Sequence, residues 1–86
     1  MTNQTPQNGN TNIPPIHVFK DKLIRVKIWE HEGGNGKYWS VQPVRVYKKS
    51  EKDWRETNSF TGTDILLVTH LLDEAYKYIN DLKQSN

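Results

Sequence analysis

Three histidines, ten carboxylates and no cysteine are the residues of this 86-residue chain from which catalysis or metal binding would have to be built. His17, His31 and His70 are scattered, and none stands in an H-E-x-x-H or comparable ligand spacing, so no metal site is expected. Thr69-His70 followed one turn later by Asp73 and Glu74 fits the polar flank of an amphipathic helix better than an acid/base pair. Gly33-Gly34-Asn35-Gly36 lacks the following helix and the Lys-Ser/Thr of a phosphate-binding loop; it reads as a hairpin turn. Without cysteine there is no disulfide framework, zinc ribbon or thiol nucleophile, and a cytoplasmic location is expected. These absences point away from an enzyme and away from a cofactor.

A different chemistry is written in the cations and rings. Between Lys20 and Arg55 stand ten Lys/Arg against five acids, and from Glu56 to Asn86 two bases against five acids. The formal net charge of +2 therefore hides a strand region of +5 and a helical region of −3. Such a division is the footprint of a sheet that meets a polyanion and a helix that does not. The alternating stretch from Leu23 to Glu32 puts Arg25, Lys27, Trp29 and His31 on one side, to be joined there by Tyr38, Ser40 and Gln42. Cations interleaved with aromatic rings suit single-stranded nucleic acid, in which phosphates are neutralised and unpaired bases stack. Arg25, Lys27 and Arg55 are expected to hold phosphates, Trp29 and Tyr38 to stack bases, and Lys37 and Gln42 to assist. The plainer alternatives are that Trp29 is buried under the N-terminal tail or an oligomer interface, that Tyr38 is a packing partner, and that strand lysines guard edges.

The elements that must position these residues follow from periodicity. Met1 to Pro15 carries no charged side chain and few apolar ones, and is expected to be a disordered polar tail. Residues 16–83 form the single domain, with 84–86 a frayed end. Ile16 to Lys20 reads as a first strand reversing at Asp21-Lys22. Ile24, Val26 and Ile28 then face a core together with Trp39 and Val41 of a strand from Lys37 to Tyr47. Pro43, which cannot donate to a ladder, calls for an edge or a bulge. Lys48 to Asp53 reads as a charged connection and Trp54 to Phe60 as a fourth strand; pairing Tyr47 with Trp54 puts Phe60 on the core side and Arg55, Thr57 and Ser59 outside. Thr61-Gly62-Thr63-Asp64 is a helix start, and Ile65, Val68, Leu72, Ala75, Ile79 and Leu82 recur at helical spacing over about five turns. Leu67, Leu71 and Tyr78 widen that stripe beyond what one small sheet needs, an excess that fits either a homodimer interface or a generously covered sheet. The fold expected is α+β: an antiparallel four-stranded sheet followed by one C-terminal amphipathic helix, ββββα. The longest apolar run, Ile65 to Val68, is far short of a membrane span.

The pieces Ile28-Trp29-Glu30, Glu32-Gly33, Asn35-Gly36-Lys37-Tyr38-Trp39-Ser40-Val41, Arg45-Val46-Tyr47-Lys48, Trp54, Ser59-Phe60, Asp64-Ile65-Leu66-Leu67-Val68 and Ala75-Tyr76 resemble a family of short, uncharacterised bacterial proteins. Pro43 departs from that pattern, where an aromatic is expected. In element order and charge the chain is also similar to the positive-cofactor-four coactivator, Whirly and Pur-alpha families. That resemblance implies a non-enzymatic, dimeric protein that lays single-stranded DNA or RNA across its sheet with little sequence preference. The competing expectation is a protein-interaction module, of phage or mobile-element origin, docking through a sheet edge or the helix stripe.

Overall fold

The computed structural model describes residues 13–84. Four strands, β1 (His17–Asp21), β2 (Ile24–Gly33), β3 (Gly36–Ser50) and β4 (Asp53–Thr57), precede one helix, α1 (Asp64–Gln84). They form an antiparallel sheet in the order β1-β2-β3-β4, so the ββββα architecture is as expected. The tail expected over residues 1–15 lies outside the described residues up to position 12. At the other end the helix runs to Gln84, and residues 85–86 are not described.

The strict alternation of β2 makes one face of the sheet. Ile24, Val26 and Ile28 are fully buried and meet Leu71 and Ala75 of α1, with Phe19, Trp39, Val41, Phe60, Val68 and Tyr78 packed around them. The full burial of Ile24, Val26 and Ile28 contributes about 1.5–3 kcal/mol apiece by taking them out of water. The helix lies mainly over β2 and then β1. Its seam is centred on Leu71 and Ala75, whereas Ile65 and Leu72, expected in the core stripe, are exposed together with Leu66 and Tyr76. One narrow sheet needs only one seam, and the second apolar row faces water.

The β2–β3 hairpin pairs Gly33 with Gly36 and Glu32 with Lys37, leaving Gly34-Asn35 as the turn. Gly36 sits at φ 112°, where L side chains rarely go. From there to Ile24–Arg45 the register is continuous, and no bulge occurs at Pro43. The reason is directional. Val46 donates to Leu23 O at 2.8 Å, so even-numbered residues of β3 turn their amides to β2 and odd-numbered ones turn them away. The Pro43 nitrogen thus faces the β4 side, beyond the last β4 pair at Thr57, and no ladder bond is lost. Asn58 Nδ2 donates to Pro43 O at 3.0 Å and closes that position.

Three expectations about the third hairpin are corrected. β3 continues to Ser50, so the supposed charged connection is mostly strand, and β4 ends at Thr57 rather than Phe60. Tyr47 pairs with Arg55, not Trp54, because the register shifts at a bulge between Lys48 and Ser50. One extra residue exchanges the faces of everything that follows.

The helix start behaves as its sequence predicts. Leu67 donates to Thr63 O at 3.3 Å, Thr61 N donates to Asp64 Oδ2 at 3.4 Å, and Gly62 takes φ 53°. Arg45 Nε lies 3.0 Å from the same carboxylate oxygen, an ion-pair contact without in-line hydrogen-bond geometry. Asp64 therefore joins the helix N-terminus to β3. Replacing it by Ala is expected to cost about 1 kcal/mol, from the lost turn contact and dipole interaction, and to strand the Arg45 charge. Thermal denaturation of Asp64→Ala checks this; an unchanged midpoint rejects it.

Candidate nucleic-acid interface

The face of the sheet turned away from α1 is assembled by register alone. It carries Val18 and Lys20 of β1; Leu23, just before β2, with Arg25, Lys27, Trp29 and His31 of β2; Tyr38, Ser40, Gln42, Val44, Val46 and Lys48 of β3; and Trp54 and Glu56 of β4. Its strand residues include four cations, Lys20, Arg25, Lys27 and Lys48, against the single acid Glu56. The helix-facing side instead mixes Asp21, Glu30, Glu32 and Asp53 with Lys37, Arg45 and Arg55. The charge asymmetry seen along the sequence is thus also an asymmetry through the thickness of the sheet.

Several site residues predicted from the sequence sit otherwise than expected. Trp29 points outward but is only 8% exposed, and its indole N–H donates to Ile13 O at 3.2 Å. The start of the described chain is held there by Ile16 N donating to Ile28 O at 2.8 Å. Trp29 is a packing residue, not an open stacking ring. Arg55 is on the opposite side of the sheet through the bulge, where it makes two 3.0 Å hydrogen bonds to the Asp53 carboxylate. That contact raises its already high pKa. Lys37 is also on the helix-facing side, 3.5 Å from Glu30.

Arg25, Lys27, Tyr38 and Gln42 do share the outward face. Lys27 Nζ reaches Glu56 Oε2 at 2.6 Å. Since Lys27 is paired with Gln42 and Glu56 with Val46, this bridge crosses β3 above Val44, which explains why an outward-pointing valine is 2% exposed. Arg25 donates from Nη1 to Lys22 O at 2.8 Å and to Ile24 O at 3.1 Å, fastening the β1–β2 turn, where Lys22 holds φ 53°. Among the described residues no carboxylate pairs with Arg25, Lys20 or Lys22. Tyr38 is 55% exposed, its ring stacked on His31 at 4.8 Å, and His31 Nε2 and Ser40 Oγ are 2.7 Å apart.

Trp54 was missed. It is 56% exposed and, with Leu23, Arg25 and Val46, walls an open groove of about 290 Å³ on the outward face. The signal that hides it is the Lys48–Ser50 bulge, which lies in a run of charged residues with no glycine to mark it. The groove juxtaposes an aromatic face, apolar walls and a guanidinium with no carboxylate partner among the described residues, a composition that accepts a planar ring bearing a nearby anion.

No helix among the described residues is long and apolar enough to cross a membrane. Nor do three or more His, Asp or Glu among them cluster as a metal site would require.

The fold and this face together define a small sheet-and-helix module with a basic, ring-bearing outer surface. No protein-family model matches the chain. No solved structure matches it either. Over 62 residues, 72% of this chain, it is 31% identical to the minor capsid protein L2 of cottontail rabbit papillomavirus (strain Kansas). The chain spans 13% of that protein's length, so the likeness is confined to a small part of the capsid protein.

Proposed function

We propose that the outward face of the sheet binds single-stranded nucleic acid with little sequence preference. The observation that carries this reading is the placement of two exposed rings, Trp54 and Tyr38, at opposite ends of a face with four cations and one acid. Trp54 takes a base in the groove, Arg25, Lys20 and Lys48 hold phosphates on either side of it, and Tyr38 takes a second base. Gln42 supplies a polar contact between them, and Lys27 contributes charge while tied to Glu56. Duplex DNA offers no base faces to these rings, and α1, the one helix among the described residues, carries four acids against two lysines, a balance that the phosphates flanking a major groove repel. Ten residues of β3 separate Tyr38 from the partner of Trp54, about 33 Å at strand rise. A ligand must be several nucleotides long to reach both.

The test is a titration of fluorescent oligo-dT with the protein over a range of salt. Binding is expected at low salt, weakening with a log–log slope of about −0.7 for each phosphate engaged, hence roughly −2 to −3 for three or four contacts. No binding at low salt, or an affinity indifferent to salt, rejects the reading. A protein-interaction module remains the competing reading, favoured by the exposed Ile65, Leu66, Leu72 and Tyr76 on α1.

A further inference from the structure

β3 is fifteen residues long, yet β4 pairs only with its second half, from Arg45 to Ser50. Over the first half, the edge facing away from β2 is open. The backbone groups on that edge belong to the odd-numbered residues Lys37, Trp39 and Val41, by the same alternation that turns Val46 N toward Leu23 O. Among the described residues none of these three amides or carbonyls has a partner on that side. The open stretch is bounded: the hairpin turn ends it before Lys37, and at Pro43 there is no amide and the carbonyl is taken by Asn58.

We infer that this edge pairs with the same edge of a second copy of the chain, antiparallel about a two-fold axis at Trp39. The register is decided by which residues can bond. Placing Trp39 opposite the partner copy's Trp39 sets Lys37 opposite Val41 and lets every open donor meet an open acceptor, six bonds in all. Sliding by two residues would set Lys37 against Pro43, which has neither a donor nor a free carbonyl to offer. Charge also favours a copy of itself. Lys37 is the single charged residue from Gly36 to Val44, and this register opposes it to valine rather than to a like charge. The other edges are guarded, β1 by Lys20 and Asp21 and β4 by Asp53, Arg55 and Glu56. The product is an eight-stranded sheet whose outward faces run together, with the two Tyr38 rings brought near its centre. Association does not depend on the nucleic-acid reading.

The experiment uses the full chain without oligonucleotide. Sedimentation equilibrium is expected to show a dimer. Val41→Pro is expected to return it to monomer, because the amide it removes serves only the open edge, as the natural Pro43 does two residues on. Circular dichroism matching the parent shows that this variant is folded. As an independent reading, a nitroxide on Tyr38→Cys, in a chain with no other cysteine, should report a second label close by, since the two Cα atoms are about 8 Å apart in this register. A monomeric parent overturns the inference. So does a dimer that survives Val41→Pro, or one whose labels lie far apart, as pairing through α1 on the opposite face would place them. If Val41→Pro fails to fold, the label distance alone decides.

Discussion

Trp54→Ala should weaken oligo-dT binding by roughly 5- to 160-fold, the equivalent of about 1–3 kcal/mol for one lost base stack, while leaving the protein folded. The ring is 56% exposed at the sheet's β4 edge and contributes no part of the helix-side core, so its removal takes away a wall of the groove and little else. The neighbouring residues sharpen the test. Arg25→Ala should also weaken binding and make the salt slope shallower by about 0.7. Arg55→Ala should do neither, because its guanidinium is bonded to Asp53 on the other side of the sheet. An Arg55 variant that binds more weakly than the Arg25 variant would place the binding surface on the helix-facing side of the sheet. Fluorescence anisotropy at one low salt concentration separates these outcomes.

Trp29→Ala should act on stability instead. A ring 8% exposed, bonded to Ile13 O and set beside Ser40 in the ladder, leaves a cavity when truncated, and losses of about 3–5 kcal/mol are usual for such a change. For a domain of this size that is a large share of the whole stability, and the melting midpoint should fall by on the order of 12 °C or more. A variant that melts with the parent but no longer binds oligonucleotide would return Trp29 to the interface and remove Ile13 as its cover. The two tryptophans therefore make opposite predictions, one losing ligand and the other losing fold.

That exchange of roles shows how far the chain can be read without its structure. The β2 alternation, the face parity that the β2–β3 hairpin carries across its turn, the helix start within Thr61-Gly62-Thr63-Asp64 and the order of elements are all local consequences of side-chain period, turn residues and capping, and each stands in the structure. So does the sharing of one face by Arg25, Lys27, Tyr38 and Gln42, since a continuous hairpin propagates parity from a single turn. The Pro43 question was legible as a problem but not as a solution. Its answer depends on where β4 stops, a fact about a neighbouring strand.

By itself the sequence determined the ββββα architecture, the aliphatic row of β2 that faces the core and a basic strand region set against an acidic helix, because these depend on periods and counts within one segment. Tertiary structure alone decided which tryptophan is open. A one-residue bulge after Lys48 turned Trp54 outward and Arg55 inward, the start of the described chain closed over Trp29, and Glu56 claimed Lys27 from across β3. Each of these is a contact between segments far apart in the chain, and a register offset of one residue reverses a face while leaving every local pattern unchanged.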